Sequence, residues 1–517
     1  MNILFLYPHP AEDRCRQYRR AALELRDRFG HEVTFVYIGA PRVFADDLPT
    51  EHFDPWVARN RDAIAVANLA ELEKEFASSN LWRCVVAQRT HSDYSYLGGS
   101  FAYSKYPLDE IEFFLKSVVL FYRDIIHRRR IELAIAHAPD VIHSRVLYEL
   151  ALSMPFVAIN QFYDAYWGGG SRYMVDEISF SSSLIRQRYR SNMERYETAI
   201  LPKEKELEEN VSQCLSEDPR HIYTPENWPT TLSGSFKTAF LSFLDRRSDF
   251  QIFKPDIIQA YYLHHLRGKI KAWLLRIGNL ASRKAFIRFA SELPRRPYVF
   301  FGPNYQPEST TLASSPVWSD MLAIIRILSV SLPSGYQLVV KDHPMIGGNR
   351  PTYFYRQVMD LPNTVLLPEK YPTLQVIKKS SMVSTLTGTV GFQALMRDKP
   401  LLLFGHVYYD CIDGILRPPA DLNDFPLMLK DVLVNGNVPA PAERRRALLA
   451  FMEAYRSAMV HNDKMANPKN PDEQGEGLAE LIDHWIRVDL EEIGKKRQAY
   501  FTAGFTKCGK REDSVAP

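Results

Sequence analysis

Short apolar runs alternate with amphipathic stretches over the first third of the chain. The runs at Ile3–Tyr7, Glu32–Gly39 and Pro155–Asn160 predict buried strands, and the stretches Arg14–Phe29 and Tyr106–Arg129 predict helices between them. Strands that are separated by helices indicate a parallel, doubly wound sheet. The pattern therefore predicts a Rossmann-like α/β unit in the N-terminal part.

The same alternation returns from Pro297 onward. Strands are predicted at Tyr298–Gly302, Gln337–Lys341, Thr364–Leu367 and Pro400–Phe404, with helical patterns between them. This pattern predicts a second parallel sheet, so the fold class is α/β with two Rossmann-like units.

Long helical patterns, rich in charged residues, fill the region between the two units and the region after the second. The predicted organisation, in chain order, is a Rossmann-like domain at 1–181, a helical insertion or linker at 182–296, a second Rossmann-like domain at 297–422, C-terminal helices at 423–494 and a polar tail at 495–517. The tail has no core pattern, and we expect it to be disordered.

Composition excludes several classes of protein. A chain of 517 residues with 46% hydrophobic residues and a formal charge of +3 is typical of a multidomain globular protein, and it argues against a dedicated nucleic-acid binder. The five cysteines are scattered and form no CxxC pair, which favours a reducing compartment and gives no zinc site. No apolar run is long enough to span a membrane, and the opening strand lacks a basic n-region, so we expect a cytoplasmic protein.

The segment 269–289 interleaves basic residues with large apolar ones within the insertion. A basic amphipathic helix can lie on an anionic surface, which would allow peripheral contact with the inner membrane. The favoured interpretation is a helix that packs its apolar side inside the protein and leaves its basic residues in water.

The segment from Ser384 to Gly391, STLTGTVG, stands between a predicted strand and a predicted helix. Free amides and hydroxyls at a helix start suit an anion, and glycine lets the backbone approach it closely. Ser384, Thr387, Gly388 and Thr389 are therefore candidate ligands of a phosphate group. The alternative is an ordinary helix cap that binds nothing.

Two further loops follow predicted strands of the second unit: GPNYQPE after Tyr298–Gly302, and Asp342-His343-Pro344 after Gln337–Lys341. The carboxyl ends of parallel strands line the ligand crevice of an open α/β sheet. We therefore expect these loops to converge with the STLTGTVG turn on one site.

Each loop offers side chains with a chemical use. Pro344 rigidifies its turn, and His343 can donate a hydrogen bond to a phosphate or protonate a leaving group. Gln306 can bind a base or a sugar through its amide, and Glu308 can accept from hydroxyls or act as a base. The alternatives are a loop histidine bonded to backbone and a carboxylate that caps a turn.

In the first half, the loop from Asp164 to Arg172, DAYWGGGSR, follows a predicted strand. Its aromatic residues suit a sugar face, and Asp164 is the carboxylate we propose to test as nucleophile or base. The alternative is a linker. Because no DxD or His cluster follows a strand, we expect a site without metal.

The motifs YVFFGPNYQPESTTL, LVVKDHP and STLTGTVGFQALMRDKPLLLFGHVYYD, in this order, resemble bacterial capsular polysaccharide biosynthesis proteins. That family includes capsule Kdo transferases of the GT-B fold, in which two Rossmann-like domains face a cleft. The resemblance implies that His343 and the turn at Ser384, Thr387, Gly388 and Thr389 hold the donor phosphate. Gln306 and Glu308 would lie near the nucleoside or sugar, and the N-terminal domain would bind the acceptor.

The implied function is transfer of a sugar from a nucleotide donor to a lipid-linked or oligosaccharide acceptor of a surface polysaccharide, without a separate cofactor. CMP-Kdo is the leading single donor. The Glu-Asp-Gly motif of the Kdo-transferring relatives is absent from the first half, which leaves donor and stereochemistry open. The alternatives are a nucleotide-sugar epimerase of GT-B-like fold and a non-catalytic polysaccharide-assembly protein.

Overall fold

The computed structural model describes most of the chain outside a few loops, part of the insertion and the C-terminal tail. The described residues are 1–7, 12–38, 46–76, 80–87, 108–136, 139, 142–163, 171–177, 181–198, 205–209, 211, 266–305, 309–344, 346, 348, 350–466 and 470–490. Within them the chain forms two separate β-sheets with helices packed around each.

The N-terminal sheet has a parallel centre that an antiparallel pair extends at one edge. Its strands are β1 (Asn2–Tyr7), β2 (Glu32–Tyr37), β3 (Thr50–His52), β4 (Leu133–Ile135), β5 (Val157–Tyr163), β6 (Ser171–Val175) and β12 (Val460–His461), in the spatial order β12-β6-β5-β4-β1-β2-β3. Only the β5–β6 and β6–β12 pairs are antiparallel. The five strands from β1 to β5 form the predicted doubly wound arrangement, because β1 pairs with β2 on one side and with β4 on the other.

Helices cover both faces of this sheet. They are α1 (Glu12–Asp27), α2 (Phe53–Arg59), α3 (Arg61–Val66), α4 (Leu69–Glu75), α5 (Trp82–Ala87), α6 (Leu108–Arg129), α7 (Ile142–Leu150) and α8 (Ser183–Thr198). The buried residues of α6 form a continuous apolar side that packs with α7 against one face of the sheet. The predicted helices Arg14–Phe29 and Tyr106–Arg129 correspond to α1 and α6.

The C-terminal sheet is entirely parallel. Its strands are β7 (Tyr298–Gly302), β8 (Gln337–Lys341), β9 (Thr364–Leu367), β10 (Met382–Thr385) and β11 (Leu401–Leu403), in the order β11-β10-β7-β8-β9. In β7, β8, β10 and β11 every residue except Gln337 is buried, as expected for a parallel sheet that is covered on both faces. The strands predicted at 298–302, 337–341 and 364–367 have the observed bounds.

The helices of this part lie between and after these strands. They are α9 (Leu266–Phe286), α10 (Ser309–Ser314), α11 (Met321–Ser331), α12 (Thr352–Met359), α13 (Thr373–Lys379), α14 (Thr389–Leu395), α15 (Phe425–Leu433), α16 (Pro441–Ser457), α17 (Asp463–Ala466) and α18 (Pro471–His484). Asp320 caps α11 by accepting from the amides of Leu322 and Ala323.

The C-terminal segment returns to the N-terminal sheet. α18 packs along α1, where Arg20 pairs with Glu476 over 2.9 Å and Arg28 with Glu480 over 2.7 Å. α16 packs along α8, and β12 adds the edge strand beside β6. The prediction of a purely helical C-terminal part was therefore wrong at β12, which is too short to leave a periodic signal.

The basic helix α9 packs against α12 by its C-terminal half. Asn279 donates to the carbonyl of Gly348 over 2.9 Å, and Arg283 bonds to both Tyr355 and Glu369. Leu274 and Phe286 remain exposed on the same helix. Within the described residues, no helix is both long and apolar enough to cross a bilayer. Contact of this region with a membrane surface stays a prediction.

The predicted fold class is confirmed: the chain is a mixed α/β protein with two sheets, a C-terminal one that is entirely parallel and an N-terminal one whose parallel centre carries an antiparallel edge. The helical segments on either side of the second sheet are also present. The exact domain limits stay a prediction, since α8, α16 and α18 pack across the limits drawn from sequence.

Candidate functional site

The topological switch point of the C-terminal sheet lies between β7 and β10. These strands are neighbours, with Thr385 opposite Gly302, while the chain leaves β7 to form β8 on the other side. Loops that leave two such strands diverge to opposite faces and leave a crevice at their carboxyl ends. The GPNYQPE loop and the STLTGTVG turn therefore begin on either side of that crevice.

Asn304 joins these two loops. Its amide Nδ2 donates to Thr387 Oγ1 over 3.0 Å, and its Oδ1 accepts from the Thr387 amide over 3.3 Å. Asn304 and Thr387 are both buried. Because one side chain amide bonds both the backbone and the hydroxyl of the same threonine, the two strand exits are held in a fixed relative position.

The turn at Gly388 is also fixed from within. Thr385 Oγ1 accepts from the Gly388 amide over 3.3 Å, and Tyr409 donates to the Gly388 carbonyl over 2.6 Å. A side chain at Gly388 would place its Cβ 2.8 Å from Thr385 Oγ1, so the close turn requires glycine. The exposed residue of this turn is Thr389, whose amide precedes the first intrahelical bond of α14.

Asp342 and Arg350 connect the β8 exit to the same crevice. The Asp342 carboxylate accepts from Arg350 Nε over 2.6 Å and from Arg350 Nη2 over 3.1 Å, and Arg350 also donates to the Asn304 carbonyl over 2.9 Å. The side chains are 1% and 3% exposed. Two hydrogen bonds between one guanidinium and one carboxylate fix the relative orientation of the two side chains. The predicted convergence of the three loops is therefore observed, through Asn304 and Arg350.

His343 lies half-buried at this edge. Its amide donates to Asp342 Oδ1 over 2.8 Å, and its ring stands edge-on to Tyr305 with 6.0 Å between ring centroids. Pro344 follows it in a turn that the Ile346 amide closes on the His343 carbonyl. The Asp342 carboxylate thus orients the backbone of the residue that we predicted to hold the donor phosphate.

A second layer of charged residues lies behind Asp342. Burial lowers the pKa of Lys341 to about 8, and burial raises the pKa of Glu369 to about 7 although Arg283 pairs with it. Tyr355 joins the layer to the site by donating to Asp342 Oδ2 over 2.8 Å. Lys341 itself is buried at the end of β8.

Ser384 does not belong to the turn. It lies inside β10, is fully buried, and its Oγ has no hydrogen-bond partner among the described residues. A neighbouring strand residue points to the opposite face of a sheet, and here Thr385 is the residue that supports the turn. The prediction of Ser384 as a phosphate ligand is therefore corrected to Thr385 as a supporting residue, with Thr387, Gly388 and Thr389 at the crevice.

The loop after β11 borders the same turn. The Gly405 amide donates to the Leu386 carbonyl over 2.8 Å, and a Cβ at Gly405 would lie 2.6 Å from Thr387 Cγ2. His406 follows with 61% of its side chain exposed, and its Nδ1 lies 2.9 Å from Asp410 Oδ2. The next aromatic residue, Tyr408, stacks between Phe392 and Tyr455, so its role is packing.

Three predicted site residues lie outside the described part of the chain. They are Gln306 and Glu308 in the loop after β7, and Asp164 in the loop between β5 and β6. In sequence, Asp164 directly follows β5, whereas Gln306 and Glu308 come after Pro303, Asn304 and Tyr305 in the loop that follows β7; the roles of all three stay predictions. Among the described residues, no cluster of His, Cys, Asp and Glu has the geometry of a metal site.

The residues that sequence reasoning missed are Asn304 and Arg350. Asn304 stands in the GPNYQPE motif, where the glutamine and glutamate drew attention first. Arg350 follows a glycine-rich stretch and has no motif of its own. The available signal was its separation from Asp342 in sequence. A loop of eight residues after a strand is long enough for its arginine to fold back and pair with an aspartate at the strand end.

The segment that contains this site is similar to a known protein family. The family model described as capsule polysaccharide biosynthesis protein matches residues 262–417, which contain β7 to β11 and every described residue of the crevice. The predicted resemblance to capsule biosynthesis proteins is thereby confirmed for this segment.

Among curated proteins, the capsule polysaccharide export protein KpsS of Escherichia coli is 27% identical over 149 residues. The match covers 27% of this chain and 37% of KpsS, so the chain spans well under half of the relative it matches.

Solved structures give a weaker likeness. The β-Kdo 2,7-transferase part of KpsC from Thermosulfurimonas dismutans has a TM-score of 0.32 at 11% identity, covering 67% of this chain and 98% of that one. The UDP-GlcNAc 2-epimerase of Neisseria meningitidis has a TM-score of 0.26 at 10% identity, covering 94% and 100%. Scores of this size do not bear on the activity of this chain.

Proposed function

We propose that this protein is a glycosyltransferase of capsular or other surface polysaccharide biosynthesis. It would transfer a sugar from a nucleotide donor, with CMP-Kdo as the first donor to test, to a lipid-linked or oligosaccharide acceptor. The observation that carries the proposal is the joined crevice at the β7–β10 switch point, which lies inside the segment that matches capsule biosynthesis proteins.

The crevice suits a phosphorylated ligand. Thr387 and Gly388 form a close turn supported by Asn304, and Thr389 faces solvent at the start of α14. His343 stands across the switch point at the β8 exit. Amide and hydroxyl donors near a phosphate stabilise the charge that develops as the nucleotide leaves the anomeric carbon. We infer that these donors perform this role without a metal ion.

The acceptor would enter from the N-terminal unit. In the proposed reaction, its hydroxyl oxygen bonds to the anomeric carbon while the bond from that carbon to the phosphate oxygen breaks. A carboxylate must receive the hydroxyl proton or form the covalent intermediate, and Asp164 after β5 is our candidate. Glu308 after β7 is the second candidate, because it follows Asn304 at the crevice.

The first experiment is a melting-temperature comparison with CMP, UDP and GDP on the purified full chain. A ligand that binds the native state alone raises the transition by an amount that grows with the logarithm of its concentration relative to Kd. We expect one nucleotide to raise it, and we expect His343→Ala and Thr387→Ala to reduce that shift while leaving the unliganded transition in place. An absence of any shift at millimolar nucleotide would contradict the proposal.

The second experiment assigns the chemistry. With CMP-Kdo and a mixture of acceptor oligosaccharides, turnover is followed by release of CMP and by mass of the product. Asp164→Asn should remove turnover and leave nucleotide affinity close to wild type. An altered sugar formed from donor alone would instead indicate an epimerase.

A non-catalytic role is the second candidate, because the curated relative KpsS carries the name of an export protein. In that case the crevice would bind a phosphorylated glycan or nucleotide without breaking it. Binding that persists without release of CMP, together with polysaccharide assembly that survives Asp164→Asn and Glu308→Gln, would favour this candidate. We further propose a cytoplasmic location, where nucleotide sugars are made.

A further inference from the structure

The loop after β11 contains a histidine and aspartate pair that no part of the proposed mechanism uses. His406 Nδ1 lies 2.9 Å from Asp410 Oδ2, and 61% of the His406 side chain is exposed while Asp410 is 2% exposed. A buried carboxylate that holds one nitrogen of an exposed imidazole fixes the ring orientation. The second ring nitrogen, Nε2, then points away from the carboxylate.

Two arginines hold the Asp410 carboxylate in place. Arg186 Nη2 lies 2.6 Å from its Oδ1, and Arg417 Nη2 lies 3.2 Å from its Oδ2. Burial raises the pKa of Asp410, but the His406 hydrogen bond and the charges of both arginines outweigh burial, so the pKa lies below its usual range. The carboxylate is therefore ionised, and Arg186 is itself paired with Glu177 over 3.1 Å.

The loop is fastened to the donor turn on both sides of His406. On one side Gly405 donates to the Leu386 carbonyl over 2.8 Å, and on the other Tyr409 donates to the Gly388 carbonyl over 2.6 Å. Arg417 Nη1 also donates to the Gly405 carbonyl over 2.5 Å. His406 therefore stands on a loop that is fixed against the turn on which the donor phosphate is proposed to rest.

We propose that His406, oriented by Asp410, is a second phosphate-binding residue: as an imidazolium it gives the N–H at Nδ1 to the Asp410 carboxylate and the N–H at Nε2 to the nucleotide phosphate of the donor. The inference rests on the proposed function and adds a residue to which the sequence analysis gave no role. It also gives Asp410 a positioning role, which a packing residue would not have. The ligand class is a nucleoside mono- or diphosphate.

The test uses the full chain and the nucleotide, CMP, UDP or GDP, that raises the melting temperature of wild type. We expect His406→Ala to weaken its binding about 10- to 100-fold by calorimetry, the range of one charge-assisted hydrogen bond. His406→Gln, which keeps a donor, should recover part of the loss. Binding of the matching nucleoside without phosphate should not change in either variant.

The matched control is His461→Ala. His461 is 60% exposed, close to the value for His406, and its Nε2 lies 3.0 Å from Asp463 Oδ1, but Asp463 is 97% exposed and His461 lies on β12, away from the crevice loops. We expect nucleotide affinity to be unchanged there. Asp410→Asn should weaken nucleotide binding less than His406→Ala, since the donor remains but loses its orientation.

Two outcomes overturn the inference, and they differ. If wild type binds a nucleotide and His406→Ala binds it equally well, His406 does not contact phosphate, while the proposed function stands. If wild type binds none of the three nucleotides, the proposed function and this inference both fall. Equal losses for nucleotide and nucleoside in His406→Ala would indicate a change in the loop and would also reject the phosphate contact.

Discussion

Asp342→Asn should have the largest effect of any single substitution near the crevice. The carboxylate accepts four hydrogen bonds, from the His343 amide, from two nitrogens of Arg350 and from the Tyr355 hydroxyl. An asparagine keeps the shape but presents an NH2 group to donors and leaves the Arg350 charge uncompensated. Breaking one partner of a buried ion pair costs about 3–5 kcal/mol. The free energy of unfolding should fall by that amount.

Urea denaturation of the full chain, followed by circular dichroism, measures this loss. The matched control is Asp472→Asn, which breaks an ion pair with Arg16 whose side chains are 49% and 55% exposed. Such exposed pairs contribute about 1 kcal/mol or less. The double variant Asp342→Leu with Arg350→Met removes both charges and should be more stable than Asp342→Asn alone, because no charge stays buried.

The reasoning would be refuted by either of two results. Asp342→Asn could fall within the range of Asp472→Asn, in which case Asp342 is not the hub that the contacts indicate. The free energy of unfolding of the double variant could fall by the sum of the losses for Asp342→Leu and Arg350→Met measured separately, in which case the two charges act independently. Where Asp342→Asn behaves as expected, its nucleotide affinity should fall as well, because His343 loses the bond to its amide.

Three further predictions concern Asp54 and two residues of the loop after β11. Burial raises the pKa of Asp54 to about 7, so its protonated form contributes to the free energy of unfolding below pH 4, and this contribution is lost as the pH rises through 7. In urea titrations at several pH values, Asp54→Asn should remove this pH dependence of the free energy of unfolding. Gly405→Ala should lower the melting temperature and abolish its shift with nucleotide, whereas Gly278→Ala, which meets no atom within 4 Å, should leave both in place. Tyr409→Phe should weaken nucleotide binding several-fold in calorimetry, and unchanged affinity would show that Gly388 does not need its hydrogen bond.

Much of the second sheet could be predicted because its strands are buried on both faces and read as uninterrupted apolar runs. Gln337–Lys341 and Thr364–Leu367 have the predicted bounds for this reason. The two-residue strand β12 could not be predicted, since its residues Val460 and His461 pair with Arg172 and Ser171 of β6, which are far away in sequence, and it has no pattern of its own. Its partner alone explains its conformation.

The site shows the same division. The convergence of three loops followed from one topological rule, that parallel strands end at a common edge. The contacts that fix the loops could not be read from spacing, because Asn304 and Thr387 are 83 residues apart and Arg350 comes from a loop without a motif. Whether Ser384 belongs to the turn depends on where β10 ends. Because the strand continues to Thr385, the side chain of Ser384 lies inside the sheet, and side chains of neighbouring strand residues point to opposite faces.

One contact between the two halves of the chain lies next to the turn at Gly388. Arg186 on α8 reaches Asp410, Ser181 donates to the Val407 carbonyl over 3.0 Å, and the Asp413 amide donates to Tyr189 over 2.8 Å. All three bonds end in the loop after β11, which Tyr409 joins to Gly388. A movement of α8 must therefore displace or stretch this loop, and the loop contains His406. If a phosphate binds at both Gly388 and His406, the free energy of binding it depends on the position of α8, and the N-terminal half of the protein is then coupled to the turn at Gly388 through Asp410.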